Sequence, residues 1–285
     1  MKVYIYLIIV FLFIGNKSFS QEELYNHSDS VSNSNIFKKA PILISLNIAT
    51  NLSIGIFKWD WGSSRFAFKK EGFFGANTAN GGADKTGHLW TSYMLSNVNM
   101  HFLKKSGVKN YKEYGVLLAW TNMLVIELGD GISKTYGFSL EDLLFNTLGS
   151  GVSYLRAQNE FAKELIDIRL EFTPSEFSFE AFNETNYSDL KYILALKPAA
   201  FTKSYLKYLE FHIGYYSRGY RGVRASDYLT QNRTSYIGLS VNLHSLIFNK
   251  YQKNKIVKYT GDILHSVQIP YTYIPINIFH SETPK

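Results

Sequence analysis

The hydrophobic rhythm of this chain changes once, at about Ile166, and that change restricts the fold more than any other feature. Upstream lie long apolar segments punctuated by glycine, of which Tyr111–Leu128 is the most continuous. Downstream the pattern shortens to alternation: Ile168-Arg169-Leu170-Glu171-Phe172, Tyr192-Ile193-Leu194-Ala195-Leu196, Tyr208–Ile213 and Tyr236–Leu243. Helices first and strands second make an α+β chain: an N-terminal bundle of about three to four helices, then a C-terminal antiparallel β-sheet.

The helix limits are written in polar residues. Pro41 suits the first turn of a helix over Pro41–Trp59, although a strand pair would also fit that apolar stretch. A second segment opens at Asp84 and closes at Lys104-Lys105-Ser106-Gly107, matching the charge and cap preferences of helix ends. A third, Tyr111–Leu128, is apolar all round and needs cover from other helices or from lipid. A fourth runs from Ser139 to about Gln158, with Ser139 as cap and Asp142 placed to return the bond. Lys250–Leu264 is expected as an amphipathic helix, and Val267–Phe279, with Pro270 and Pro275, as an edge strand. The strands number about five, short of the eight or more usual in a closed membrane barrel.

Val3–Ile14 is an apolar run behind Lys2, followed by Ser18 and Ser20 at positions that favour small residues. This is the grammar of a cleavable secretory signal, and the run is shorter than the roughly 20 residues of a spanning helix. The expected organisation is a signal at 1–20, a polar leader at 21–40, a helical domain at 41–165 and a β-rich region at 166–285. The absence of cysteine excludes disulfides, thiolate metal sites, a cysteine nucleophile and a lipid-modified N-terminal cysteine. The net charge of +7 falls to about +5 once Lys2 and Lys17 leave with the signal. No basic run points to nucleic acid. Aromatics make up 16% of residues, which suits strands and membrane interfaces.

Between Gly81 and Gly151 polar residues recur at helical spacing: Asp84-Lys85-x-x-His88, Glu127-x-x-Asp130-Gly131, Gly137-Phe138-Ser139-x-x-Asp142 and Asn146-x-x-Gly149. Three helices thus present Asp84, Lys85, His88, Glu127, Asp130, Asp142 and Asn146 within a few turns of one another. One reading is a hydrolase or metal-assisted site, since imidazole and carboxylates serve as bases and as ligands. The other is an internal network that fixes helix packing, in which Asp84 caps its helix, His88 bonds Glu127 or Asp130, and Lys85 neutralises a carboxylate. No metal ligand set and no cofactor follow from the residues. Farther on, Arg218, Arg221 and Arg224 lie among tyrosines and glycines, in a loop able to touch phosphate or lipid head groups or to serve as an ordinary hairpin.

In this order the motifs resemble the YfiM-like family of predicted periplasmic and outer-membrane-associated proteins, whose function is unassigned. The resemblance covers roughly residues 60–175, and more loosely the strand-rich tail. It departs where the family's Lys-Glu is Ile126-Glu127, and many members are lipoproteins whereas this chain has no cysteine. The resemblance implies a periplasmic place at the outer membrane. The expected role is structural or binding, with membrane lipid or an envelope protein as partner. The alternatives are a His-carboxylate or metal-assisted hydrolase of envelope material, and an outer-membrane β-barrel.

Overall fold

A computed structural model describes residues 51–53, 55–173, 187–220, 228–248 and 261–284. The signal, the leader, most of the Pro41–Trp59 segment, Arg221, Arg224 and most of Lys250–Leu264 lie outside these residues.

Three long helices form the bundle: α1 (Ala83–Lys105), α2 (Tyr111–Asp130) and α3 (Leu140–Gln158). Ser139 accepts the backbone N–H of Asp142 at the start of α3. The reciprocal bond does not form, because the Asp142 carboxylate is engaged by Lys85. Asp84 does not cap α1 either: the cap is Gly82 in a left-handed conformation, with Asp84 inside the first turn. Gly149 lets α3 approach α1 closely, since a Cβ there would meet the Leu89 carbonyl oxygen at 2.1 Å.

A short helix α4 (Glu160–Leu165) ends where β1 (Ile166–Phe172) begins. Then follow β2 (Leu190–Leu196), β3 (Leu209–Arg218), β4 (Thr230–Val241), a single turn α5 (Leu243–Leu246), β5 (Val267–Gln268) and β6 (Tyr273–Pro284). The spatial order is β5-β1-β2-β3-β4-β6, antiparallel except for the parallel pair β5–β1. The expected single strand over Val267–Phe279 is therefore two strands on opposite edges of the sheet. Pro270 cannot donate to a ladder, and Tyr271 takes a positive φ of 62°, so the chain turns between them.

That turn dictates the shape. Six strands laid flat would put β5 about 24 Å from β6, yet the few residues joining Gln268 to Tyr273 reach at most about 17 Å. The sheet must curl, and side chains cross its concave side: Lys191 on β2 donates to the Tyr273 hydroxyl on β6 at 3.3 Å. Among the described residues no ladder joins β5 to β6, so the sheet is open, as the antiparallel sheet expected from the sequence is, and the alternative of a closed barrel is set aside.

The register places polar groups inside the curl and apolar groups outside. Asp167, Arg169 and Glu171 share the concave face with His212, Tyr236 and Ser240. Gly214 leaves room there for the Tyr236 ring, which a Cβ would meet at 2.1 Å. The convex face carries two cross-strand rows, Leu196–Phe211–Leu239–Ile274 and Leu194–Ile213–Ile237–Ile276. Over β1 and β2 this face is covered by α1, in a core of Trp90, Tyr93, Met94, Ile168, Leu170 and Tyr192. Along these two rows on β3, β4 and β6 it is bare, with Phe211 51%, Ile213 48% and Ile274 71% exposed, while Tyr215 and Ser217 farther along β3 are covered.

Candidate functional site

Six of the seven polar residues marked by helical spacing converge inside the bundle, and the seventh, Asp130, lies beside them. Asp84, Lys85 and His88 come from α1, Glu127 and Asp130 from α2, and Asp142 and Asn146 from α3. Lys85 is fully buried, and its ammonium lies 2.6 Å from Glu71, 3.0 Å from Asp84 and 2.7 Å from Asp142. Glu71 sits in the glycine-rich segment before α1, where no period marks it, and sequence reasoning missed it. His88 bridges two helices: Nδ1 is 3.3 Å from Glu127 and Nε2 is 3.8 Å from Asp142. Asn146 fills the gap, donating to Glu127 at 3.3 Å while its carbonyl lies 3.1 Å from His88 Nδ1 and accepts from Ser92 at 3.0 Å. Asp130 points elsewhere and accepts from the Trp61 indole at 2.7 Å.

Four carboxyls here face two basic side chains with Asp130 close by, and burial together with the excess of acidic groups raises Glu71, Glu127 and Asp130 toward their protonated forms. Burial opposes the charge on His88, but Asp142 and Glu127 outweigh it and push the imidazole up to about 9. Burial raises Glu127 to about 8, against the pull of His88. Burial likewise raises Asp130 to about 7, against the Trp61 hydrogen bond. Asp142 is held below the usual carboxylate range, because His88 and Lys85 overcome its burial. Near neutral pH Lys85 and His88 are cations of the cluster and Asp142 is the anion they share.

This arrangement decides what chemistry the cluster can do. His88, Glu127 and Asp142 bring donor atoms within 4.8 Å of one another, as do Glu71, Asp84 and Asp142. In the second group the Lys85 ammonium already bonds all three carboxylates. In the first, the two ring nitrogens face different carboxylates rather than one common point. A divalent ion would have to displace the chain's own cations. With its pKa pushed up to about 9 and its ring nitrogens turned to the carboxyl groups of Glu127 and Asp142, His88 near neutral pH is an imidazolium without a free lone pair for base catalysis. The neighbouring Ser92 hydroxyl donates to the His88 carbonyl at 2.8 Å, not to its ring.

The concave side of the sheet holds a second buried network that no motif announced. Asp167 receives Arg156 at 2.8 Å, Arg169 at 2.7 Å, Lys197 at 2.8 Å and His265 at 3.0 Å. Arg169 grips Glu210 through both terminal nitrogens, at 2.7 and 2.8 Å, and Lys191 pairs with Glu171 at 2.8 Å. These cations overcome the burial of Asp167 and hold it well below its ordinary range. A usable signal was present: opposite charges at every second residue of one strand, Asp167, Arg169 and Glu171. Arg218, marked as a headgroup contact, lies 5.1 Å over the Tyr216 ring.

Residues 70–158 match the model of a family described as a predicted periplasmic lipoprotein (DUF2279), a domain of unknown function. The matched segment ends with α3 and contains every residue of the bundle cluster, while the sheet lies beyond it. The match carries the periplasmic description and not the YfiM-like name. No curated protein and no solved structure matches the chain.

Proposed function

We propose that this is an exported periplasmic protein that rests its apolar outer surface against the outer membrane, in a structural or lipid-binding role. The observation that carries the reading is an inverted distribution of polarity. Both halves bury charges and expose large apolar side chains. In the bundle, Leu117 and Leu128 on α2 and Leu140, Leu144, Leu148 and Leu155 on α3 are exposed, around an interior of Asp84, Lys85, Glu127, Asp142 and Arg156. In the sheet the convex rows repeat the arrangement. Water-soluble monomers keep contiguous apolar patches to a few hundred Å2, and a larger one marks a contact surface. Apolar-out, polar-in alternation is the pattern of strands that face lipid. The signal-like N-terminus and the family match favour the envelope. Among the described residues no helix is long and apolar enough to cross a membrane.

Flotation with phosphatidylcholine vesicles tests the reading. Wild type is expected to float, and Ile237→Ser with Leu239→Ser to lower the bound fraction about tenfold or more, the value of two buried aliphatic side chains. Wild type that stays at the bottom of the gradient, or a double variant that floats equally well, overturns it.

A further inference from the structure

The convex face is graded along its length, and its polar end has its own chemistry. Passing along β4, the outward residues run Val241, Leu239, Ile237, Ser235 and Arg233. The next outward positions on the neighbouring strands are Ser217 and Ser281, opposite Arg233. Arg233 therefore lies four residues, about 13 Å, from the apolar row through Ile237. Its guanidinium donates to the Phe74 carbonyl and to Ser281 Oγ and lies 5.6 Å over the Phe279 ring, but it has no carboxylate partner among the described residues. Its Nε–H is buried and has no acceptor. Beside it, Tyr220 packs its ring on Gly81, is 6% exposed, and has a hydroxyl that is also without a partner. A half-buried guanidinium with no carboxylate partner among the described residues and an unpartnered Nε–H, near a buried hydroxyl that is also unpartnered, is a donor set with capacity left for an anionic acceptor.

We propose that Arg233 and Tyr220 bind a phosphate group, that of a lipid headgroup whose chains lie along the Ile237 and Leu239 rows. The inference rests on the membrane reading above and names the headgroup chemistry at its polar margin. A planar guanidinium donates to two phosphate oxygens at once, and the phenol supplies a further donor to the same group. The arginine nearest in sequence to the turn, Arg218, does not share the site, because it pairs with Asn232 in the ladder and lies on the concave side with Tyr216.

The test uses the full chain on phosphatidylcholine vesicles with and without added phosphatidylglycerol, and separately in inorganic phosphate, with the melting temperature as readout. Arg233→Gln is expected to lose about fivefold of the binding gained from phosphatidylglycerol, the effect of one basic residue at an anionic surface. Binding to phosphatidylcholine alone should fall less, and Arg233→Lys should recover part of the loss. Tyr220→Phe removes only the hydroxyl and gives a smaller loss of the same kind, which keeps the test valid if Arg233→Gln folds poorly. If inorganic phosphate raises the melting temperature of wild type and not of Arg233→Gln, while vesicles do not discriminate, the phosphate site stands and its source is soluble. If both variants match wild type on vesicles and in phosphate, the site is overturned. Loss of all flotation by the Ile237→Ser, Leu239→Ser protein with the phosphate response intact separates the site from the apolar face.

Discussion

The bundle and the sheet solve the same problem in different ways. Each keeps charged side chains away from water, but the sheet balances them with permanent charges and the bundle with protons. On the concave face, Asp167, Glu171 and Glu210 meet Arg156, Arg169, Lys191 and Lys197. In the bundle, among the described residues, Glu71, Asp84, Glu127 and Asp142 meet only two basic side chains, Lys85 and His88, and Asp130 beside them accepts from the Trp61 indole. Burial of unpaired charge is too costly to persist, so Glu71, Glu127 and Asp130 in the bundle rise toward neutrality, while Asp142, paired with His88 and Lys85, falls, as do Asp167 and Glu210 in the sheet. The sheet should therefore respond to pH near neutrality less than the bundle does, because His265, the titratable group on Asp167, is pushed below its ordinary range by burial.

The largest effect is expected where permanent charges are interlocked. Arg169→Met leaves Asp167 and Glu210 without their common partner and should cost about 3–5 kcal/mol, with little change between pH 6 and 8. Urea denaturation at both pH values measures it. A cost that disappears at the lower pH would break the contrast, because it would mean that these carboxyls also take up protons readily.

Lys85→Met comes next. It strips the cation from three carboxylates and should cost about 3 kcal/mol near neutral pH. Glu71 is already raised, by burial first and Asp142 second, so protonation can replace the missing ammonium. The deficit should shrink as pH falls toward 5, in contrast to Arg169→Met. An equal deficit at both pH values in the same denaturation series would count against proton balancing.

A third, smaller effect is the pH profile of the wild type. The folded pKa of His88 is about 9 against an ordinary 6.5, so its contribution is complete below 6.5 and is lost as pH rises through 9. Glu127, raised from 4.5 to about 8, acts in the same direction: its stabilising proton leaves as pH rises through 8. Stability should thus decline between about pH 7 and 9 by on the order of 2 kcal/mol. His88→Gln should flatten that decline, leaving the part due to Glu127. Melting curves at intervals across the range would show it, and an unchanged slope in the variant would place the titration elsewhere.

The extent to which these features were legible follows from the range of the interactions behind them. Helix limits are local, which is why Ser139, Lys104-Lys105 and Gly107 marked them. The meeting of α1, α2 and α3 was legible because spacing of three and four residues puts side chains on one face. Glu71 was not, since it approaches Lys85 from an irregular segment. Strand alternation separated the two faces of Asp167-Ile168-Arg169-Leu170-Glu171 but could not say that the charged face points inward. That inversion depends on the curl, and the curl depends on Gln268 and Tyr273 lying on opposite edges, a long-range fact that no local pattern carries. Arg233 was passed over for the same reason: it meets Tyr220 and Phe74 only after folding.

The smallest effect on stability should come from the convex face, and it sharpens the comparison because its consequence lies elsewhere. Ile237 and Leu239 are each 45% exposed in the middle of bare cross-strand rows. Serine at both positions gives up only the part of each side chain shielded by its strand neighbours and should cost roughly 0.5–1 kcal/mol per site, while abolishing most vesicle binding. A stability loss as large as that of Arg169→Met would mean that these rows are already covered within the protein. A small effect on folding joined to lost lipid binding would place the stability of this protein in its buried charges and core, and its association with the membrane in the side chains that stability leaves free.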